Sequence, residues 1–283
     1  MIHVLFCGNQ GVFDGMLTCA LSILRRSSPE KGVCFHLFTM DVSHLRADYL
    51  PLSKEQVSFF EGVIKEYDPR NRVVLYDVTA LYKQEFSGCP NEGAYCSPYT
   101  LIRLLADLVN GLPDKLLYLD VDVMFNLDIR LLYEIDVEDV EYAAARDHYG
   151  KFLVHPNYIN AGVLLFNLRR MKETGIFERA REQLRRKKLM FADQSALIRA
   201  TSEKKMLRQR FNDQRLLHKN TVIRHFSKRL FWLPYPHTDN IKQWQVERVH
   251  KVFGYHQFDD VFNEYLRLKE QYRRENKCKS NPR

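Results

Sequence analysis

A pair of aspartates, Asp120 and Asp122, follows the most apolar segment of the chain, residues 116–119. Such a short apolar run is typical of a buried strand, and residues two apart on an extended chain point to the same side. Both carboxylates are therefore expected at the carboxyl end of the strand, where open α/β sheets bind ligands. Because two unpaired carboxylates would repel each other there, the pattern predicts a hard divalent ion such as Mn²⁺ or Mg²⁺. The alternative is a pair that caps a helix or contacts Arg103.

The segments around this pair alternate between strand and helix patterns. Short apolar runs end in turn residues, and segments with helical spacing lie between them. This alternation predicts an α/β protein with a parallel sheet covered by helices. In chain order, the predicted elements are strand 2–7, helix 15–26, strand 33–40, helix 53–67, strand 72–76, helix 99–110, strand 116–125, strand 141–145, strand 161–168, a basic helix over 169–188 and a terminal amphipathic helix.

The composition is that of a folded chain, because 45% of its 283 residues are hydrophobic and 28% are charged. The chain has no run of about 18 apolar residues that would predict a transmembrane helix. Its amino-terminal segment has the pattern of a first strand rather than of a signal peptide. The six cysteines are scattered and form no CxxC pair. This spacing argues against a zinc or disulfide framework and favours a reducing compartment.

The chain carries a formal net charge of +8, which leaves several anionic partners open. Residues 169–188 hold nine Lys and Arg against three Glu, and residues 261–283 hold seven against three. These stretches lack interleaved aromatic residues on a recognisable nucleic-acid-binding module, so nucleic acid is not expected as a partner. The simplest interpretation of both stretches is a solvated helix face.

Three blocks resemble, in this order, the signatures of glycosyltransferase family 8: LLYLDVDVMF at 116–125, YINAGVLLFNLRRMK at 158–172 and FADQSALI at 191–198. That family includes bacterial lipopolysaccharide hexosyltransferases and glycogenin. The resemblance spans residues 1–230 as a catalytic domain and leaves 231–283 as a C-terminal appendage with a basic amphipathic helix. It implies a GT-A fold, a UDP-hexose donor such as UDP-glucose or UDP-galactose, a divalent metal and retention of anomeric configuration. The acceptor it implies is a saccharide or a glycolipid.

The resemblance also implies a role for individual residues. Asp120 would contact the metal and the ribose, Asp122 would chelate the metal, and His225 would complete the metal site. An imidazole nitrogen suits Mn²⁺ better than Mg²⁺. The remaining residues implied at the site are Val121 beside the metal pair, Arg103 near the donor, Asn160 and Ala161 at the wall of the donor sugar, Asp193 and Gln194 under the sugar ring, and Asp147 on the acceptor side.

The loop after the first strand departs from the family pattern. The family usually has an acidic residue there, which meets the nucleotide base. Here Cys7 and Gly8 are followed by the amides Asn9 and Gln10. Because an amide both donates and accepts hydrogen bonds, one of these two residues is expected to contact the base instead.

A second departure follows the metal-binding histidine. The family continues His-x-x-Gly-x-x-Lys-Pro-Trp, and its lysine holds the pyrophosphate. Here Phe231 stands at the position of that lysine. The nearest cations after His225 are Lys228 and Arg229, and the sequence predicts that one of them binds the pyrophosphate.

Retention favours attack by the acceptor hydroxyl on the face that the diphosphate leaves. A covalent intermediate is the alternative, but the matching residue is Gln194, and an amide is a poor nucleophile.

Two other functions stay open. A nucleotidyltransferase also uses paired carboxylates, although CGNQGVFDG lacks the Lys or Arg of a phosphate loop. The other is a non-catalytic protein that binds sugar nucleotides, in which the two departures from the family pattern would reflect a loss of catalytic residues.

The C-terminal helix leaves two locations open. Phe258, Phe262 and Tyr265 form an apolar stripe at three- and four-residue steps, and basic residues follow at Arg273 and Arg274. The stripe and the charges would suit an anionic membrane surface. The protein is therefore expected in the cytoplasm, either free or at the inner face of the plasma membrane. The simpler alternative is that the stripe packs on the domain.

Overall fold

The computed structural model describes residues 1–92, 97–231, 233 and 235–280, with side chains described as far as residue 276. Its strands are β1 Ile2–Cys7, β2 Val33–Thr39, β3 Arg72–Asp77, β4 Lys115–Leu119, β5 Val123–Phe125, β6 Tyr142–Arg146, β7 Ile159–Asn167, β8 Lys204–Leu207, β9 Ile223–His225, β10 Arg229–Phe231 and β11 His237–Asp239. Its α-helices are α1 Phe13–Arg26, α2 Lys54–Tyr67, α3 Thr79–Phe86, α4 Arg130–Tyr133, α5 Gly150–Leu153, α6 Leu168–Thr174, α7 Ile176–Arg186, α8 Ala192–Ala200, α9 Val246–Phe253 and α10 Asp259–Ser280.

Seven strands form the central sheet, in the order β3-β2-β1-β4-β7-β6-β8. The strands β3, β2, β1 and β4 run parallel, while β7 is antiparallel to both β4 and β6. The sheet is therefore mixed, and the predicted α/β class is confirmed. Two-stranded ribbons, β5 with β9 and β10 with β11, lie beside it.

Alternation along β1 divides the core into two layers. Val4 and Phe6 belong to the layer that includes α1 and α10, whereas Leu5 and Cys7 belong to the layer that includes α7 and α8. From Val4 to Cys7 the strand is buried on both faces, which explains the continuous apolar run there. Its carboxyl end opens at Cys7, next to the end of β4.

The predicted strand over 116–125 is wrong as a single element. The chain leaves the central sheet after β4 and enters the β5–β9 ribbon at Val123, so residues 120–122 form a turn between two sheets. The apolar segments on both sides of the aspartates suggested one strand, because both flanking strands are buried. The predicted helix over 99–110 is instead a 3₁₀ helix, Pro98–Leu105.

The predicted basic helix over 169–188 is two helices. Gly175 adopts φ 66°, a left-handed conformation that ends α6 and begins α7. Charged residues typical of a helix lie on both sides of Gly175, so the sequence pattern alone did not reveal the boundary between the two helices.

The apolar stripe of α10 packs on the domain. Phe258, Val261, Phe262 and Tyr265 have no exposed surface and join the core layer of α1. Arg26 of α1 forms an ion pair with Asp260 of α10 at 2.6 Å. The stripe is therefore not available to lie in a lipid surface. Among the described residues, no helix combines the length and apolarity required to cross a membrane.

Candidate active site

The turn between β4 and β5 presents two carboxylates at the edge of the central sheet. The Asp120 N–H donates to Gly162 O of β7 at 2.7 Å, and Asp122 O accepts from the Phe226 N–H at 2.8 Å. These backbone bonds hold the turn from both sides. The carboxylates converge as predicted, but they do so through a turn rather than through the alternation of an extended strand.

His225 joins the two aspartates because β9 pairs with β5, with Val123 opposite His225. Its Nε2 lies 3.1 Å from Asp122 Oδ1 and 4.0 Å from Asp120 Oδ2. One ligand atom from each of the three residues lies within 4.8 Å of the others. Two carboxylate oxygens and one imidazole nitrogen form a donor set that fits a divalent ion such as Mn²⁺.

Asn212 determines how the imidazole of His225 faces the carboxylates. Asn212 Nδ2 donates to Asn160 Oδ1 at 2.8 Å, so its Oδ1 faces His225 Nδ1 at 2.9 Å. This contact at Nδ1 fixes the orientation of the ring, so that Nε2 is the nitrogen that faces the aspartates. Asn212 carries no motif, and sequence reasoning missed it.

Gly162 makes room for this cluster. A Cβ atom at this position would lie 2.4 Å from His225 Cε1 and 2.8 Å from Asp120 Oδ2. Both distances are shorter than any van der Waals contact, and both atoms belong to the cluster itself. Only glycine allows β7 to approach the two ligands so closely.

Lys242 is a second cation beside the two aspartates, in addition to Arg103, and sequence reasoning missed it as well. Its ammonium donates to Asp122 Oδ2 and, at 3.2 Å, to Phe226 O. Although burial opposes ionisation, the neighbouring Lys242 and His225 hold the pKa of Asp122 well below its ordinary value. Asp122 is therefore expected to be ionised at neutral pH.

Two neighbours fix the position of Lys242. The Gln243 side chain donates to Val121 O at 2.7 Å and to Thr18 Oγ1 at 3.1 Å. The ring of Trp244 packs so closely on Gly15 that a Cβ there would lie 2.7 Å from it. The segment Lys242-Gln243-Trp244 follows the β10–β11 ribbon in the chain and returns to the turn after β4.

The two cations predicted to hold the pyrophosphate lie at the start of the β10–β11 ribbon, Arg229 as the first residue of β10 and Lys228 directly before it. The guanidinium of Arg229 lies over the rings of Phe231 at 5.4 Å and Phe253 at 5.6 Å. Neither Lys228 nor Arg229 is among the residues that line the cavity beside the two aspartates, whereas Lys242 is.

Arg103 links the metal cluster to the predicted sugar-binding pair. It is 2% exposed, and its guanidinium lies 3.1 Å from Asp120 and 3.2 Å from Asp193. Burial raises the pKa of the Asp193 carboxyl, and Arg103 acts in the opposite direction. The predicted proximity of Arg103 to the donor site thus corresponds to a buried ion-pair network rather than to an exposed helix face.

The remaining predicted residues are connected through Asn160 and Ala161 of β7. The Ala161 N–H donates to Gln194 Oε1 at 3.0 Å, and Asn160 Nδ2 donates to Asp147 Oδ2 at 2.9 Å. Asp147 also accepts from the backbone N–H of Gly150 at 2.6 Å, which holds the start of α5. The structure therefore brings the predicted sugar-side residues together next to the metal cluster.

A cavity of about 220 Å³ opens between β1 and the turn after β4. Asn9 lines it, whereas Gln10 lines a separate groove against α10. Of the two amides considered for the base, only Asn9 thus faces this space. The cavity is lined by Cys7, Gly8, Asn9, Val12, Ser97, Tyr99, Thr100, Tyr118, Asp120, Val121, Asp122, Lys242 and Trp244.

The chain matches the sequence model described as glycosyl transferase family 8 over residues 3–230. A putative glycosyltransferase from Haemophilus influenzae is 26% identical over 223 residues, which cover 66% of this chain and 66% of that protein. The matched parts of two further curated relatives cover 20% and 39% of their lengths. The chain thus spans less than two thirds of these relatives.

Two solved structures share the fold. The galactosyltransferase LgtC, solved with donor and acceptor sugar analogues, superposes with a TM-score of 0.65 at 19% identity, over 92% of this chain and 100% of that one. The bifunctional glycosyltransferase WbbM superposes with a TM-score of 0.69 at 18% identity, over 93% of this chain and 49% of that one. The predicted GT-A fold is confirmed.

Proposed function

The chain belongs to glycosyltransferase family 8, and from this premise we propose that it transfers a hexose from a UDP-sugar to a saccharide or glycolipid acceptor with retention of configuration. The observation that carries the proposal is the convergence of Asp120, Asp122 and His225 with Lys242 beside one cavity. This set combines ligands for a divalent ion with a fixed cation, which is what a diphosphate leaving group requires.

Asp120, Asp122 and His225 are the residues that would hold the ion. When bound, a divalent ion would supply Lewis-acid stabilisation of the negative charge that grows on the departing diphosphate. The carboxylates and imidazole suit Mn²⁺ or Mg²⁺, and the nitrogen ligand favours Mn²⁺. Asp120 is additionally held by Arg103 at 3.1 Å, which keeps its second oxygen oriented.

Lys242 is proposed to bind the diphosphate. Its ammonium already lies at the wall of the cavity on Asp122 and is only partly exposed. A phosphate oxygen that enters the cavity would give it a second anionic partner. Charge-assisted contacts of this kind are about twice as strong as neutral ones. Asn9, together with Cys7 and Gly8, is proposed to contact the nucleoside.

The hexose is proposed to lie against Asn160, Ala161, Asp193 and Gln194. Because Gln194 already accepts from the Ala161 N–H, its amide is positioned but is not nucleophilic. A direct attack by the acceptor on the face that the diphosphate leaves is therefore favoured over a covalent intermediate. The Asp193 and Arg103 pair would orient the sugar by hydrogen bonds rather than by covalent chemistry.

The acceptor is proposed to approach past Asp147 and α5. Three consecutive apolar residues there are exposed: Phe152 by 77%, Leu153 by 81% and Val154 by 53%. Such a surface suits an acceptor with an apolar part, such as a glycolipid. We place the enzyme in the cytoplasm, where a lipid-borne acceptor would bring it to the inner face of the plasma membrane.

The test is a panel of UDP-, ADP- and GDP-linked sugars, assayed for hydrolysis with and without Mn²⁺. The expected result is Mn²⁺-dependent hydrolysis of UDP-glucose or UDP-galactose, with the released sugar keeping its anomeric configuration at the earliest time points. Asp122→Asn should abolish it, while Asp128→Asn, a change at the exposed Asp128–Arg130 pair, should not. UDP-sugar binding without any turnover would instead favour the non-catalytic alternative, and release of pyrophosphate would favour a nucleotidyltransferase.

A further inference from the structure

A second group of metal-ligating side chains lies at the opposite end of β1 from the active site. His3 belongs to β1, and Cys34 and His36 belong to the neighbouring β2. The parallel register places His3 opposite Cys34. Because residues two apart on a strand share a face, all three side chains lie on the sheet face that carries Leu5 and Phe38.

The three side chains are close enough to share one ion. A ligand atom from each lies within 4.8 Å of the others. His3 Nδ1 lies 3.0 Å from His36 Nε2, so the two rings share one proton between facing nitrogens. Around a tetrahedral zinc ion, two imidazole nitrogens would stand about 3.4 Å apart. An increase of about 0.4 Å in the distance between the two nitrogens would therefore admit a metal ion in place of that proton.

Tyr76 orients the His36 ring for this role. His36 Nδ1 lies 3.2 Å from the Tyr76 hydroxyl, and the two rings stack with centroids 5.8 Å apart. The His3 and His36 rings stack as well, at 5.3 Å. With Nδ1 occupied by the Tyr76 hydroxyl, Nε2 is the nitrogen of His36 that faces His3 and could bind an ion, which is the usual arrangement of a metal-binding histidine.

The protonation states suit a neutral nitrogen donor set. Burial lowers the pKa of His36 to about 4, and it also lowers the pKa of His3. Both imidazoles are therefore uncharged at neutral pH. Burial raises the pKa of the Cys34 thiol, and Arg72 acts against that shift. A metal that binds here must displace the thiol proton, which is released to solvent.

We propose that His3, Cys34 and His36 form a second metal site, selective for a borderline transition ion such as Zn²⁺. Its two nitrogens and one sulfur differ in kind from the two carboxylates and one imidazole of the active site, so the sites would take different ions. Three protein ligands leave the fourth position open to water. The sequence argues against zinc because it has no CxxC pair; here the pairing of two strands, not the spacing along the chain, brings the ligands together.

Co²⁺ is the probe, because a thiolate bound to Co²⁺ gives a charge-transfer band in the near ultraviolet. The reduced, metal-stripped full chain should develop this band, saturating at one Co²⁺ per chain, and Zn²⁺ should abolish it. Asp122→Asn, which removes the active-site ligand, should leave the band unchanged. Cys89→Ser is the matched control at another free cysteine, and it should also retain the band.

Cys34→Ser should abolish the band, and His3→Gln should weaken Co²⁺ binding at least tenfold, as expected for loss of one ligand. His3 is the more exposed member, so its variant keeps the test valid if Cys34→Ser does not fold. No thiolate band in the wild-type chain would overturn the proposal and leave a hydrogen-bonded stack only. An undiminished band in Cys34→Ser or undiminished affinity in His3→Gln would overturn it as well.

Discussion

Lys242 and Asp122 form an ion pair although 120 positions separate them in the chain. The other oxygen of the same carboxylate lies 3.1 Å from His225 Nε2. One oxygen of Asp122 thus binds the ammonium of Lys242, and the other faces the proposed position of a divalent ion. Free metal must compete with Lys242 for this carboxylate, whereas bound diphosphate would draw the ammonium toward a second anion.

Removal of the Lys242 charge is expected to have opposite effects on two ligands. In Lys242→Met, Mn²⁺ alone should bind more tightly, because the competing ammonium is gone. UDP in the presence of Mn²⁺ should bind more weakly by about 1.5–3 kcal/mol, the loss typical of a charge-assisted contact. Isothermal titration calorimetry measures both affinities.

Lys228→Ala and Arg229→Ala are the matched controls for this prediction, since both remove a cation from the neighbouring ribbon segment. Each should bind UDP like the wild type. If Arg229→Ala or Lys228→Ala weakens UDP binding and Lys242→Met does not, the pyrophosphate role belongs to the pair predicted from the sequence.

Gly162→Ala is expected to disable the metal cluster. The added methyl would overlap His225 Cε1 and Asp120 Oδ2, so at least one ligand must move. Mn²⁺ affinity, followed by electron paramagnetic resonance, should fall by an order of magnitude or more. Gly62→Ala is the control, because a Cβ at Gly62 in α2 meets nothing within 4 Å and alanine favours a helix. Unchanged Mn²⁺ binding by Gly162→Ala would contradict the described geometry.

Variants of the buried ion pair between Arg103 and Asp193 should affect stability and activity to different extents. Arg103→Met leaves the Asp193 carboxyl buried without its partner and should lower the free energy of unfolding by about 3–5 kcal/mol. Asp193→Asn removes the charge but leaves Arg103 paired with Asp120. It should reduce kcat far more than it reduces stability, as shown by turnover assays and denaturant titration. Equal, small losses in Asp193→Asn would mean that Asp193 serves the fold alone.

Acid should destabilise the chain through His36. Its pKa is about 4 in the folded chain against an ordinary value of 6.5. Between these values the unfolded chain binds a proton that the folded chain does not, so the free energy of unfolding falls as the pH decreases through this window. The slope for one such group is at most about 1.4 kcal/mol per pH unit. Denaturant titrations from pH 7 to pH 4 should show a shallower decline in His36→Gln than in the exposed-site control His44→Gln; identical slopes would refute the assignment.

A chain that ends at residue 257 is expected to unfold. The truncation removes Phe258, Val261, Phe262, Tyr265 and Leu268, all buried. Each buried side chain of this size contributes about 1.5–3 kcal/mol, so the loss is similar to the whole stability of a domain. Circular dichroism should show no cooperative thermal transition. A cooperatively melting 1–257 fragment would mean that α10 is dispensable.

The convergence of Asp120 and Asp122 could be predicted from the sequence, because the apolar strand before them is a local signal, whereas His225 was expected only from the family resemblance. Lys242 could not be predicted, because the β10–β11 ribbon lies between it and His225. A fixed spacing after His225 finds Phe231 instead. Spacing along the chain does not specify how far a loop leaves the sheet before it returns.

Asn212 and Gly162 were missed for a different reason. Neither has unusual chemistry, and each matters only through what it touches: Asn212 through its contact with His225 Nδ1, and Gly162 through the space for two ligands. The turn at residues 120–122 was missed because the strands on both sides of it are equally buried. These features depend on tertiary proximity, which no local pattern encodes.

The β10–β11 ribbon has one more consequence. Both of its ends are anchored, by the pairing of β9 with β5 before it and by the Gln243 bond to Val121 O after it. Doubling the length of such a loop costs only about 0.6 kcal/mol of closure entropy. Insertions and deletions between His225 and Lys242 can therefore accumulate without moving either residue, so evolution can reshape the rim of the site while its charges stay in register.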